Sequence, residues 1–566
     1  MLLYYRALSA SLVSTMLLAT SAIAQVDLSG AASQSPPSAD RGGRILVGFE
    51  GLGSATISGG SVVTLESALL PPNPPDDRDT IIATSPFFLV GEQAGGIGSA
   101  VIEGAGTSLV LQGNENTATL HTGNRGGTGT LEIRDGALVR VLDLAPAART
   151  VSDLGTAIFT GARGGTGTLL VDNASAEVVS TFGAFMFIGD LGGNGTAVIR
   201  NGSSLSITEI ASTEAGNDGN GASIVVGRAR ADEGGGGGTG SLVIDGSTVS
   251  ITSANAVAQL VAGREDGTFG SVQLTNGAQV SLSGAQALVQ IGQDGGSQGI
   301  LAMDGGAVLS LDGGGSASPL RVGAAFTDFG RDEGGSGVLQ MTGAGTRLEV
   351  IGNAIVGAPE AFGGGDGSGV VSVSQGATLQ AGTVFLGTGG ALVGNGGIID
   401  ANVTLDGGVI APGLSPGSLS VLGDLTALSG IFDFEFAGAG PGQFDQLNIF
   451  GDLNLSDQTT FRFSFLDGFL PEDGAVLDFL TVEGTITGAT PNLVFEGVED
   501  DLGLSLFSQS GTFALARNDP FIPGGPGNGD GNGETVAPIP LPASALLLLT
   551  GVAGIISVRR RRRHEV

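Results

Sequence analysis

GGTGTLEIRDGALVRV, residues 126–141, is the stretch on which the fold turns. Leu131 and Ile133 alternate with Glu132 and Arg134, Asp135-Gly136 interrupts, and a second alternating run follows through Val139 and Val141. A period of two marks a half-buried β-strand, and Asp-Gly between two such runs supplies a tight turn. The unit recurs as GGTGTLLVDNASAEVV from Gly164, GGNGTAVIRNGSSLSI from Gly192, GTGSLVIDGSTVSI from Gly238 and GTFGSVQLTNGAQVSL from Gly267. Further copies carry their marker glycine at Gly53, Gly98, Gly299, Gly337 and Gly369. A spacing of roughly 28–45 residues lies in the range of solenoid repeats.

After each marker glycine the second and fourth residues are apolar: Leu131 and Ile133, Leu169 and Val171, Ala197 and Ile199, Leu242 and Ile244, Val272 and Leu274, Leu301 and Met303, Leu339 and Met341. These pairs are expected to face inward. The residues between them vary, from Glu132 to Leu170 to Gln273, as the outer face of a strand does. Gly and Asn-Gly are expected to supply positive φ at the corners. Stacked coils bury a continuous core and pair each strand with its counterpart in the next coil, so about ten copies hold together without Trp or Cys. The expected fold is all-β, a right-handed parallel β-helix (solenoid) over residues 25–417, with a β-sandwich of short strands as the alternative. No stretch from Gln25 to Arg517 carries the 3.6 period of a long helix.

The chain changes character near Ala381, and APGLSPG, residues 411–417, marks a break. Residues 418–517 alternate again, with Phe concentrated in runs such as IFDFEF from Ile431 and FRFSF from Phe461. They are expected to form a β-rich cap over the exposed strand edges of the last coil. Residues 518–537 read as a flexible Gly/Pro/Asn linker. Residues 538–566 pass from a Pro-rich entry through an apolar transmembrane segment, about 541–558 and expected to be helical, into an arginine block.

Composition excludes several chemistries. Gly contributes 103 of 566 residues, and the chain has no Cys, no Trp and no Lys; its only Tyr are Tyr4 and Tyr5 and its only His are His121 and His564. Disulfides, thiol nucleophiles and zinc sites built from Cys and His are therefore out of reach. A formal net charge of −32 repels nucleic acid and anionic lipid, so no nucleic-acid partner is expected. No catalytic residue, metal ligand or cofactor is expected.

The enzymatic alternative, a secreted lyase or glycosidase on this scaffold, needs two carboxylates on one face or acids around calcium. The acidic pairs Asp232-Glu233, Glu265-Asp266 and Asp332-Glu333 read instead as solvated loop charges beside glycine. His121 aligns with Gln290 and Arg321 of other coils and is expected to face solvent. The sequons at Asn173, Asn194, Asn201 and Asn402 read as turn chemistry. Asp530 to Glu534 only brushes a calcium-loop pattern, because the twelfth-position Glu is missing.

The two ends supply an address. Arg6, the apolar run from Ala7 and the small residues Ala22 and Ala24 before Gln25 form a secretory signal peptide over residues 1–24. At the other end, Pro540, Leu541, Pro542 and Ala543 precede the apolar segment, and Arg559, Arg560, Arg561, Arg562 and Arg563 follow it. The positive-inside rule leaves that block in the cytoplasm and everything upstream outside. This layout resembles the PEP-CTERM sorting signal of Gram-negative bacteria, in its Val-Pro-Leu-Pro-Ala variant, with Ile539 in place of Val. The resemblance covers about thirty residues. It implies processing by an exosortase-type membrane enzyme after transient inner-membrane anchoring, then release or attachment at the cell surface, often alongside exopolysaccharide. Separately, APGLSPGSL from Ala411 followed by FDQLNIFGDLNL from Phe444 resembles the C-terminal end of autotransporter passenger β-helices. The expected function is that of an exported, surface-displayed or matrix-associated structural or adhesion protein.

Overall fold

The computed structural model describes residues 25–517 apart from 38–41, 69–83, 114–116, 145–154, 211–220, 230–235, 314–318, 325–333, 360–365, 414–415, 499–502 and 510. The described part is all-β. Its strands join in one mostly parallel sheet wound nearly closed, a β-helix-like solenoid.

One coil shows how the repeat folds. Thr128–Arg134, Leu138–Asp143 and Thr156–Ala162 lie on three successive walls. Each pairs in parallel with the equivalent strand of the next coil, Thr166–Asp172, Ser175–Ser180 and Ala184–Asp190. The first pairing places Gly129 on Gly167, Leu131 on Leu169 and Ile133 on Val171. Leu131, Ile133, Leu169, Val171, Ala197, Ile199 and their later counterparts are fully or almost fully enclosed, as the alternation requires. Each Leu, Ile or Val among them contributes about 1.5–3 kcal/mol by leaving water.

Glycine works at the corner where the third wall turns into the first, in a way the sequence left open. The marker glycines have ordinary backbone angles; close approach is what demands them. A Cβ on Gly195 would lie 2.0 Å from the Thr160 carbonyl oxygen and 2.4 Å from the Gly189 nitrogen. Positive φ falls elsewhere, on the partner column that includes Gly189 and on Asp135, Asn173, Asn201 and Asn276 at the turn between the first and second walls. Asn and Asp tolerate that left-handed conformation better than other side chains. Asn173 and Asn201 thus occupy turn positions.

A ladder of alternating charge runs beside that turn: Glu103, Arg134, Asp172, Arg200 and Asp245 are in-register neighbours. Arg134 meets Glu103 at 2.7 Å and Arg200 meets Asp172 at 2.6 Å. Asn201 also donates to Asp172 at 2.6 Å, and this bond and Arg200 hold the Asp172 carboxyl below its ordinary range. Each exposed pair is worth at most about 1 kcal/mol, but a slip of register would place like charges together.

Past Ala381 the coils change. Thr378–Gly387 shifts register between Gln380 and Thr383, and Gly397–Ala411 and Leu425–Phe436 are long strands that reach more than one neighbour. Parallel stacking runs across residue 417, from Ser418–Val421 to Gln446–Ile449 to Val476–Val482. The segment expected as a cap is strand-rich, and most of it is further coils. Their core is aromatic: Phe432 lies over Phe461 and Phe434 over Phe463 in register, and Phe479 meets Phe434 edge-on at 4.6 Å. Antiparallel strands close both ends. Gln25–Gly30 and Ala32–Ser35 cover the first coil, and Thr512–Arg517, itself paired with Leu504–Gln509, covers Val476–Val482.

Candidate functional site

Because inward positions are spent on the core, chemistry has to come from the outward columns of the three walls. On the second wall one column reads Arg140, Glu177, Ser206, Ser250, Ser281, Ser310, Glu349, Gln380. Beside it run Ser175, Ser204, Thr248 and Gln279, and on the other side Thr208, Thr252 and Ser283. Between this column and the one of Ser204, Thr248 and Gln279, the small serine side chains leave a trough of about 370 Å³ over Ser206, Ser250, Ser281 and Ser310. Rows are about 4.8 Å apart and columns about 6.6 Å, the strand spacing and twice the rise per residue.

The ends of this run are charged and internally paired. Glu177 meets Arg140 at 2.7 Å, and Glu349 meets Arg347 at 2.7 Å while accepting a hydrogen bond from Ser310 at 3.2 Å. Between them, Ser206, Ser250 and Ser281 make no hydrogen bond through their side chains to another of the described residues. No carboxylate lines the trough, and among the described residues no group of three or more His, Cys, Asp or Glu is placed to hold a metal ion. The arrangement offers donors and acceptors in a fixed grid and no general acid or base.

Several residues singled out from the sequence lie elsewhere on the surface, and the expectation for two of them is corrected. His121 points outward from the third wall, where it stacks on Phe159 at 4.5 Å between ring centres, 12° from parallel, and so does not face solvent freely. Phe159 in turn stacks on Phe187, which the Arg228 guanidinium covers at 4.1 Å. Burial, with Arg163 and Arg125 nearby, pushes the His121 pKa down to about 3, and its Nδ1 is enclosed without a partner. Glu265 is no solvated loop charge. It accepts from the Ala229 N–H at 3.0 Å and lies 3.4 Å from Arg264, and burial raises its carboxyl against the pull of that arginine. Its neighbour Asp266 is exposed.

The two motifs that suggested a passenger-type C-terminus meet in space. Asp445 of the second motif is buried and accepts from the N–H of Gly417, in the first motif, at 2.7 Å and from that of Glu435 at 2.9 Å. Burial pushes its carboxyl up to about 6 in spite of those two donors. The sorting residues Pro540, Leu541, Pro542, Ala543 and Arg559 to Arg563, the cleavage residues Ala22 and Ala24, the linker, and the pairs Asp232-Glu233 and Asp332-Glu333 lie outside the described residues.

The trough escaped the sequence reading although its signal was present. Ser204-x-Ser206-x-Thr208, Thr248-x-Ser250-x-Thr252 and Gln279-x-Ser281-x-Ser283 repeat one alternation in three coils. Compared with known proteins, the chain matches no family model and no curated protein.

Proposed function

We propose that this chain is an exported structural or adhesion protein, a rigid acidic rod displayed at the surface of a Gram-negative cell or held in its matrix. The signal peptide over residues 1–24 directs export, and the solenoid winds right-handed, the hand that parallel crossovers take. Residues 518–537 tether it, and the apolar helix at about 541–558 holds it in the inner membrane until an exosortase-type enzyme acts at Pro540 to Ala543. The arginine block then stays on the cytoplasmic side.

The observation that carries this reading is the parallel stacking from Arg44–Val47 to Asn492–Glu496, which stays in register as far as Gln380. Such stacking builds a long, repetitive surface in which each coil contacts mainly its neighbours. A rod of this kind suits spacing and contact. Its walls carry paired charges and hydroxyls in columns.

The test is the mass of the protein recovered from membrane, surface and medium fractions of the native host. Loss of the residues after about Pro540 from material outside the inner membrane is the expected result. An intact tail in the inner membrane would overturn the display reading.

A further inference from the structure

We propose that the trough on the second wall binds an uncharged polysaccharide chain lying along the solenoid axis. The inference rests on the display reading for its biological setting and on the wall's geometry for its chemistry.

Charge is the first ground. The chain has 55 acids against 23 arginines, yet the four coils from Ser206 to Ser310 put serine, and no charge, on the central column. The same column is charged immediately before and after, at Glu177 and Glu349. The sheet accommodates glutamate at this position, so the serine run is no requirement of folding.

Hydrogen-bonding capacity is the second. A serine hydroxyl both donates and accepts, as a sugar hydroxyl does. Ser206, Ser250 and Ser281 keep that capacity free, whereas Ser204 is bonded to Ser175 at 2.8 Å and Ser310 to Glu349. The two end carboxylates can accept further bonds from ligand hydroxyls. From Glu177 to Glu349 the column climbs five coil spacings, about 24 Å, so it fits a linear ligand with many equivalent groups. The hydroxyls sit on paired strands, which hold them in place before any ligand arrives.

Other partners fit less well. Polyanions meet the overall acidity and the carboxylates at both ends. A protein partner would seek exposed apolar or arginine anchors; the apolar residues along the trough, Leu205, Val249 and Val280, are buried in the core, and no arginine lines it. Without aromatic platforms each sugar is held weakly, so retention comes from many contacts along one polymer.

The test is affinity electrophoresis of the mature chain in gels containing, separately, a soluble β-glucan, a galactomannan, a dextran and polygalacturonate. At least one neutral polymer is expected to retard the protein, and polygalacturonate to retard it less. Ser250→Glu and Ser281→Glu are expected to weaken retention at least about tenfold, through charge and bulk in the trough. Ser241→Glu places the same change on the first wall and is expected to leave retention unchanged; Ser250→Ala removes one hydroxyl without adding charge and is expected to weaken it less than Ser250→Glu does.

Mobility unaffected by all three neutral polymers would overturn the inference, as would equal retention of Ser250→Glu and wild type, or stronger retardation by polygalacturonate. If the tail is removed at the surface while no neutral polymer binds, the trough inference falls and the display reading stands. If a neutral polymer binds while the intact tail stays in the inner membrane, the display reading falls and the trough inference stands.

Discussion

Gly195→Ala tests whether close approach, and not backbone freedom, fixes the marker glycines. The added Cβ would lie 2.0 Å from the Thr160 oxygen and 2.4 Å from the Gly189 nitrogen, where real contacts essentially never fall below 3.0 Å. Both obstacles are backbone, so no side chain can swing aside; the corner has to open by about an ångström. Gly195 pairs with Gly167 below and Gly240 above. Forced overpacking costs about 1–3 kcal/mol. Loss of two ladder hydrogen bonds adds about 1 kcal/mol each. The sum, about 3–5 kcal/mol, is to be read from urea unfolding followed by circular dichroism. Gly236→Ala is the control, because its added Cβ meets nothing within 4 Å and its φ is ordinary. Equal midpoints for Gly195→Ala and wild type would refute the close-approach argument, and an equal loss in both variants would show that the cost is not specific to the corner.

Three further outcomes are expected. Phe434→Ala, at the centre of the aromatic core, should cost about 3–5 kcal/mol in the same unfolding assay, more than removal of an exposed Phe such as Phe450. For Asp445 the folded pKa is raised, so its contribution to stability is fullest at low pH and is lost as pH rises from 3.8 through about 6. Asp445→Asn should therefore flatten the fall in urea midpoint over that window, and an unchanged pH slope would contradict the assignment. His121 has a depressed folded pKa, so the unfolded chain takes the proton first and stability drops as pH falls below 6.5. His121→Phe should match wild type at pH 8 and exceed it at pH 5, and a His121 imidazole NMR signal, identified by its loss in His121→Phe, that titrates near 6.5 in the folded protein would contradict the enclosed geometry.

What could be read from the chain was what a period of two controls. Leu131 and Ile133, and the pairs aligned with them, had to share a face, and the structure encloses them. Contacts between coils were hidden, because register turns distant residues into neighbours. His121, Phe159 and Phe187 lie 38 and 28 residues apart along the chain and stack in one column. Aligning His121 with Gln290 and Arg321 identified the outward face, but not what packs on that face. The Asp445 to Gly417 bond spans 28 residues and was foreshadowed only by the resemblance of the two motifs that hold them. In the trough the S-x-S-x-T pattern was visible, but a search for acids and bases gives hydroxyl columns no weight.

The columns also explain where such a chain has room for function. Inward positions are mostly aliphatic, with Phe concentrated in the later coils and a few buried polar groups such as Asp143 and Glu209, and the corner glycines carry no side chain at all; a change in any of these disturbs two neighbouring coils. Outward positions on the second wall carry neither constraint, unlike the third wall, where Phe187, Val225 and Val261 pack into a buried outward column. The second-wall column passes from Arg140 through four serines to Glu349 while the core beneath it stays aliphatic at Val141, Leu205, Val249, Val280 and Leu309. Charge on the outside is still ordered where it helps register, as in the ladder from Glu103 to Asp245. One wall can thus hold coils in step by alternating charge near its edge while another presents hydroxyls, and the two features vary independently because neither touches the core. In this fold the informative sequence for binding is the outward residue followed from coil to coil, and on the second wall that reading leads to the four serines of the trough.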